Sequence, residues 1–207
     1  MARPRQVPAP KRRIPAQARS SETVALILEA AAQILEAGGL GAFTTNAVAE
    51  RAGVSIGTVY QYFADKNAVL LALARQEMEA TVAAARRAIA PAEGRDPEAR
   101  VRALIRVLIN AFGGRARARK AVVQAILSQG LGIEMMAPAA AFLASGAGAD
   151  SPSPRPLSTE QMFVLSRSIL GTIRAAILEE QPFLRSQVFE DEIVRLVVAY
   201  VSAIMKT

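Results

Sequence analysis

Apolar residues recur at intervals of three and four along almost the whole chain, and no stretch alternates between apolar and polar positions as a half-buried strand would. This pattern predicts an all-α fold. The first helix should span residues 21–37 and end at the pair Gly38 and Gly39, since glycine commonly follows a helix C-terminus. Its apolar face consists of Val24, Ile27, Leu28, Ala31, Ile34 and Leu35.

Residues 45–64 predict two short helices joined by a glycine turn. The first helix ends at Ala52, and Gly53 follows because glycine adopts a positive φ without steric cost. The hydroxyl of Ser55 can cap a second helix over residues 56–63. The positions that should face a shared core are Val48, Ala52, Val54 and Val59. A helix-turn-helix of this kind places the N-terminal part of its second helix in the major groove of DNA.

The rest of the pattern predicts longer helices, for a total of about nine. One begins at Lys66, after a capping Asp65, and runs to about Ile89, so that it would connect the helix-turn-helix to the remainder of the chain. The others are expected over residues 98–112, from residue 115 onward, and over 133–143, 159–180 and 189–205. The segments 91–97 and 145–158 are rich in Pro, Gly and Ser and predict loops.

The run ILEAAAQILEAGGLGAFTTNAVAERAGVSIGTVYQYFADKNAVLLAL, within residues 23–73, resembles the DNA-binding domain of TetR-family transcriptional regulators. The sequence AERAGVS followed by GTVYQYFADK carries most of this resemblance. It implies a three-helix DNA-binding domain over residues 21–66 and a helical effector-binding and dimerisation domain over residues 67–207. It also implies a repressor that leaves a palindromic operator when a small hydrophobic effector binds.

Charge is distributed unevenly. Residues 1–20 contain six of the 25 Lys and Arg residues and no acid, in a chain of formal net charge +7. This proline-containing segment is therefore expected to be a disordered basic arm, which either contacts DNA or only aids solubility. Residues 21–66 have two basic residues, Arg51 and Lys66, against five acids: Glu22, Glu29, Glu36, Glu50 and Asp65.

The exposed start of the second short helix contains the residues expected to select a DNA sequence. Gly57 lets the backbone approach the groove, Thr58 offers a methyl and a hydroxyl group, and Gln61 can form two hydrogen bonds with adenine. The phenol of Tyr60 suits phosphate better than a base edge. The other expected DNA contacts are Thr44, Thr45, Ser55, Tyr62 and Lys66. Core packing is the alternative for Tyr62 and the preferred interpretation for Phe63. No Lys or Arg lies between Ala52 and Asp65, so we do not expect guanine readout by an arginine of this helix.

The two C-terminal helices have more apolar residues than one buried face needs. In the TetR family two such helices from each subunit form the dimer interface, and we expect a homodimer here; closure of the subunit's own core is the alternative. The run RARARK at residues 115–120 could contact DNA, but a surface of salt bridges is the favoured interpretation.

By family analogy, an effector pocket lies between the fifth and eighth helices, and each of its candidate residues could equally be ordinary core or surface. The apolar candidates are Leu104, Leu108, Phe112, Ile126, Met135, Met136, Phe142 and Phe163. The polar candidates are Asn110, Gln124, Gln129, Ser166 and Arg167.

Cysteine and histidine are both absent, which excludes thiol nucleophiles, disulfides and histidine-based catalysis. We expect no enzymatic activity, no cofactor and no metal site. No uninterrupted apolar run of membrane-spanning length and no signal peptide is evident, so a cytoplasmic protein without membrane contact is expected. The alternative function is that of a basic helical bundle that binds a membrane surface or a protein partner.

Overall fold

The computed structural model describes residues 16–89, 96–130 and 157–205. Within these ranges the chain forms eight α-helices and one 3₁₀ turn, and no strand, which confirms the all-α prediction. The helices are α1 (Ala16–Ala42), α2 (Thr45–Ala52), α3 (Ile56–Tyr62), α4 (Lys66–Ile89), α5 (Pro97–Ile109), α6 (Ala116–Ser128), α7 (Thr159–Leu178) and α8 (Gln187–Met205), with the 3₁₀ turn at Ala111–Gly114.

Three helix boundaries differ most from the sequence-based expectation. Helix α1 begins at Ala16, so residues 16–20 are helical and not part of a disordered arm. At its other end the helical geometry breaks at Gly39, whose φ of 63° and ψ of −161° lie outside the helical region. Helix α5 ends at Ile109, three residues early, because the chain tightens into the 3₁₀ turn. The helix expected over residues 133–143 and most of the loop at 145–158 lie outside the described residues.

The first hydrophobic core, which we call the head core, contains residues of α1, α2, α3, α4 and α6. Its fully buried side chains include Ile27, Leu35, Phe43, Val48 and Val59, each no more than 1% exposed. Helix α6 adds one small-residue face, consisting of Ala118, Ala121, Val122 and Ala125. Because small side chains let helix axes approach closely, α6 lies against α1 and α4 as a part of this core.

The second core, the body core, joins α5, α7 and α8 with the end of α4. It contains Ile105, Ile169, Ile173 and Val194 among its most buried side chains. An ion-pair cluster ties α5 to α8 beside it: Glu190 accepts from Arg106 Nε at 2.9 Å and from Arg102 Nη1 at 3.2 Å. Helix α4 has residues in both cores and therefore connects them mechanically.

Among the helices that the structure describes, two are long and apolar enough to cross a bilayer by length and composition alone: Ser20–Ala42 of α1, and α7 (Thr159–Leu178). Polar residues interrupt both helices, so neither contains an uninterrupted apolar run of membrane-spanning length. Many of the apolar side chains of these two helices are buried within the protein. Those of α1 form the centre of the head core, and Leu165, Ile169 and Ile173 of α7 lie in the body core.

Candidate DNA-binding surface

Helix α2 is fixed at both ends by short-range hydrogen bonds. Thr44 has extended backbone geometry, and its side chain accepts a hydrogen bond from the amide of Ala47 at 3.1 Å. After Ala52 the chain turns at Gly53, which has φ 68° and ψ 30°. A Cβ is disfavoured in this left-handed conformation, so glycine sets the angle at which α3 leaves the turn.

Helix α3 begins with the cap that the sequence predicts. The Ser55 Oγ accepts from the amide of Thr58 at 3.0 Å and lies 2.8 Å from the Thr58 Oγ1. Val59 is buried beneath the helix, and Phe63 is 8% exposed, as core packing predicts. Tyr62 is half-buried against the head core. The cap and the buried face together determine which residues α3 presents to solvent.

The outward side of α3 contains most of the predicted sequence-selecting residues. Gly57, Tyr60 and Gln61 are exposed, and Thr58 is half-buried. The phenol oxygen of Tyr60 lies 3.4 Å from the Thr45 Oγ1, so α3 and α2 share a polar contact at the surface. We call Thr44, Thr45, Ser55, Gly57, Thr58, Tyr60 and Gln61 the reading surface. Lys66 is also exposed, at the start of α4, where Asp65 accepts from the Ala68 amide at 2.8 Å.

Two of the acids counted in the N-terminal domain are bound to α6. Glu29 accepts two hydrogen bonds from the Arg115 guanidinium, at 2.7 and 3.0 Å, and Arg115 is the main reason that the pKa of Glu29 lies below its ordinary value; Gln33 adds to this effect. Glu36 accepts from the Ala118 amide at 3.0 Å. Arg115 therefore offsets the charge of Glu29 from a position 86 residues away in the sequence, whereas the neutral Ala118 amide leaves the charge of Glu36 in place.

The RARARK segment forms contacts within the protein, as the favoured interpretation predicts. Besides the Arg115 pair, Arg117 donates to the Ala37 carbonyl at 3.1 Å, and Lys120 contacts Glu180 at 2.7 Å. Arg119 donates to the carbonyls of Leu108 and Ile109, both at 2.7 Å. The basic run is evident in the sequence, but the groups that accept its hydrogen bonds are not, since no local sequence pattern indicates that α6 packs against α1.

The predicted effector residues are divided between different environments. Leu104 and Leu108 lie in the body core, whereas Ile126 packs against the head core. Ser166 is buried and donates to the Phe163 carbonyl at 3.2 Å. Phe163 itself is 60% exposed, with the Arg167 guanidinium carbon 5.1 Å from its ring centroid.

The remaining polar candidates, Asn110, Gln124 and Gln129, are exposed. Met135, Met136, Phe142 and the Phe112 side chain lie outside the described residues.

Comparison with known proteins identifies the N-terminal domain. Residues 27–73, which contain the C-terminal part of α1, all of α2 and α3 and the start of α4, match the family model of bacterial regulatory proteins of the tetR family. This match assigns residues 27–73 to a TetR-type DNA-binding domain. The resemblance seen in the sequence is thereby confirmed, and the TetR-family fold is that of DNA-binding transcriptional regulators.

Solved structures extend the similarity to the whole fold. A TetR-family regulator from Streptomyces coelicolor aligns with a TM-score of 0.66 and 21% identity, covering 87% of this chain and 98% of that one. A TetR regulator from Rhodococcus sp. RHA1 gives a TM-score of 0.63 at 20% identity, with coverage of 89% and 97%. The multidrug binding protein EbrR complexed with ethidium gives 0.60 at 24%, with coverage of 86% and 98%. No curated protein sequence matches significantly. At these identities the similarity establishes the fold alone.

Proposed function

We propose that this TetR-family chain is a homodimeric, sequence-specific repressor that leaves a palindromic operator when a small effector binds. Residues 21–66 would form its DNA-binding domain and residues 67–207 its effector-binding and dimerisation domain. The observation that carries the proposal is the reading surface, a polar and uncharged face of a capped two-helix unit in a domain that matches the family model. We propose no enzymatic activity, no bound cofactor and a cytoplasmic location.

Each residue of the reading surface has a role suited to its chemistry. Gly57 and Thr58 lie in the first turn of α3, where the backbone can approach base edges most closely. Gln61 is exposed one helical turn beyond Gly57 and would read adenine. Tyr60, Thr44, Thr45 and Lys66 would bind phosphates, which position the domain without selecting sequence. Affinity would then depend on helix N-termini, hydroxyl groups and Lys66.

The dimer proposal is supported by exposed apolar side chains on α7 and α8. Phe163 and Val164 on α7 are 60% and 48% exposed, and Leu196 on α8 is 46% exposed. At Gly171 on α7, an added Cβ would meet no atom of this chain within 4 Å. The subunit's own packing therefore does not require glycine there, whereas close approach of a second helix would. Two-fold symmetry would present two α3 helices to half-sites about one helical turn of DNA apart.

A small-molecule effector is supported by analogy with EbrR, which is described as a multidrug binding protein and was solved with ethidium bound. The required physics is that the ligand binds the conformation unable to hold DNA more tightly than the DNA-bound one. Apolar residues of the body core, such as Leu104 and Leu108, would line part of that site.

An electrophoretic mobility-shift titration tests the proposal, using the promoter region beside the chain's own gene and a scrambled duplex of equal length. We expect selective retardation of the promoter fragment. Gln61→Ala and Thr58→Ala should each reduce the ratio of specific to non-specific affinity by about tenfold, since a lost base contact costs about 1–3 kcal/mol. Tyr60→Phe should weaken binding to both duplexes, because a phosphate contact carries no sequence information.

Gln76→Ala is the matched control, since Gln76 is exposed on α4 outside the reading surface. It should bind like the unmodified chain. Absence of any sequence-selective shift would refute the regulator, and selectivity that survives both Gln61→Ala and Thr58→Ala would refute the assigned reading surface.

A further inference from the structure

A cavity of about 300 Å³ lies where the start of α6 meets the end of α7. Five cationic residues line it: Arg115, Arg117, Arg119, Lys120 and Arg185. One acid, Glu180, belongs to the same described lining. We call this space the basic cavity. Its volume is at the lower end of the range that small-molecule sites occupy in proteins.

Only part of this positive charge is balanced by nearby carboxylates. Arg115 pairs with Glu29 at 2.7 Å and Lys120 with Glu180 at 2.7 Å. The other three guanidinium groups donate to backbone carbonyls, Arg117 to Ala37 at 3.1 Å, Arg185 to Gly114 at 3.1 Å, and Arg119 to the end of α5. A carbonyl oxygen accepts a hydrogen bond but has no net charge. These three groups therefore leave a positive potential in the cavity.

Burial disfavours the charged form of Arg119 when no anion lies beside it. Arg119 is largely removed from solvent, and burial together with the neighbouring Arg185 lowers its pKa to about 10. A lowered pKa for an arginine means that its charged form is disfavoured where it lies. An anion between these groups would favour the charged form and offset their mutual repulsion.

Apolar side chains complete the lining, among them Ala176, Ile177 and Leu184. They lie on α7 and on the turn before α8, beside the guanidinium groups of the α6 start. One end of a ligand would thus meet cations, and its other end would meet aliphatic carbon. Small-molecule sites combine these two features when a charged group fixes the orientation of an apolar body.

We infer that the basic cavity binds a small organic anion, with a carboxylate or phosphate group held by Arg117, Arg119 and Arg185 and a short apolar body against α7. The RARARK segment thus has two roles. Arg115 and the Ala118 amide hold α1, while the remaining basic residues form the anion site. None of the described lining residues is among the candidates given above for the effector pocket.

Isothermal titration calorimetry of the full chain tests this inference without DNA, so its failure is distinct from failure of the proposed regulator. The probes are acetate, hexanoate and inorganic phosphate, in a buffer free of other carboxylates and phosphates. Hexanoate should bind saturably with one site per chain and more tightly than acetate, because its methylene groups contact the aliphatic lining.

Three variants locate the binding. Arg185→Gln should weaken hexanoate and phosphate binding by about tenfold, because a charge-assisted hydrogen bond is lost. Glu180→Gln should strengthen binding, since it removes the acid from the lining and frees Lys120. Arg174→Gln is the matched control; Arg174 is exposed on α7, does not line the cavity, and its loss changes the net charge equally.

Absence of saturable binding would overturn the inference. So would equal affinities for Arg185→Gln and Arg174→Gln, because the anion would then be responding to overall charge or to the DNA-binding surface. Circular dichroism of each variant confirms folding. Arg185 is exposed, so the loss of its hydrogen bond to Gly114 is not expected to unfold the chain.

Discussion

The caps at Thr44 and Ser55 show how single residues define the reading surface. Each hydroxyl accepts from an amide three residues ahead, so the information lies within one helical turn of sequence. For that reason the limits of α2 and the start of α3 could be predicted without a structure. The polar contact between Thr45 and Tyr60 could not, since it depends on how the Gly53 turn orients α3 against α2.

Gly57→Ala should weaken DNA binding without disturbing the fold. A Cβ at this position would lie 3.7 Å from the Ser55 Oγ, an ordinary contact, so Gly57→Ala should fold normally. Alanine also favours the helix by roughly 0.5–1 kcal/mol relative to glycine. We therefore expect an equal or higher melting temperature together with weaker operator binding, measured by thermal denaturation and mobility shift. Unchanged affinity would show that the backbone at Gly57 does not approach DNA.

At the scale of elements, α6 is the helix whose position in the fold is hardest to predict from the sequence. Its helical period and its start near Arg115 are local properties, and both were predicted. Its packing partners are not local, because Ala118, Ala121 and Val122 are small residues that would suit many interfaces. The charge count for residues 21–66 omits Arg115 for the same reason, since Arg115 pairs with Glu29 only in the folded chain.

The Glu29–Arg115 pair should contribute modestly and in a pH-dependent way. Both side chains are partly exposed, so Glu29→Gln should lower the free energy of unfolding at pH 7 by about 0.5–1 kcal/mol. The pKa of Glu29 in the folded state lies below its ordinary value of 4.5, because the charged form accepts from Arg115 and Gln33. The contribution is therefore present above pH 4.5 and is lost as the pH falls through the folded-state pKa.

Urea denaturation of both proteins across this pH range measures the effect, and Glu22→Gln on the same helix is the control for charge. The difference between Glu29→Gln and the unmodified chain should shrink as the pH falls below 4.5. A difference that stays constant with pH would exclude the ion pair as its cause.

For the whole molecule, the proposed dimer and the charge of the N-terminal segment are the two properties expected to affect DNA binding beyond the reading surface itself. Surplus apolar residues in the last two helices were visible in the sequence. The structure adds that Phe163 and Leu196 are exposed while Ile169 and Val194 are buried, which separates an outer face from the body core. The sequence could not make this division, because apolar residues nearly encircle both helices.

Gly171→Leu distinguishes a dimer interface from a free surface. If α7 faces only solvent there, leucine should stabilise the helix by roughly 0.5–1 kcal/mol and leave the oligomeric state unchanged. If a second subunit approaches closely, the side chain should prevent association. We expect a monomer by sedimentation velocity with the secondary structure retained. Gly41→Leu is the control, since a Cβ at Gly41 also meets nothing within 4 Å. A Gly171→Leu dimer of higher stability would refute this interface.

The N-terminal segment should determine how strongly salt weakens binding to DNA. Residues 2–15 contain Arg3, Arg5, Lys11, Arg12 and Arg13, while α1 begins at Ala16, so deletion of this segment leaves the described helix intact. Each phosphate contact adds about 0.9 to the slope of log affinity against log salt. We expect a shallower slope for the deletion in mobility-shift titrations at several salt concentrations. An identical slope would show that the segment does not contact phosphate.

The membership of α6 in the head core also limits how this protein can be recombined with others. A chimera that joins residues 16–89 to a foreign ligand-binding domain would lack Ala118, Ala121 and Val122, and would leave the apolar surface of α1 beneath them exposed to water. Glu29 would lose its ion pair with Arg115, and Glu36 would lose its hydrogen bond from the Ala118 amide. The transplantable DNA-binding unit is thus discontinuous in sequence, and a functional exchange has to carry residues 115–128 with it.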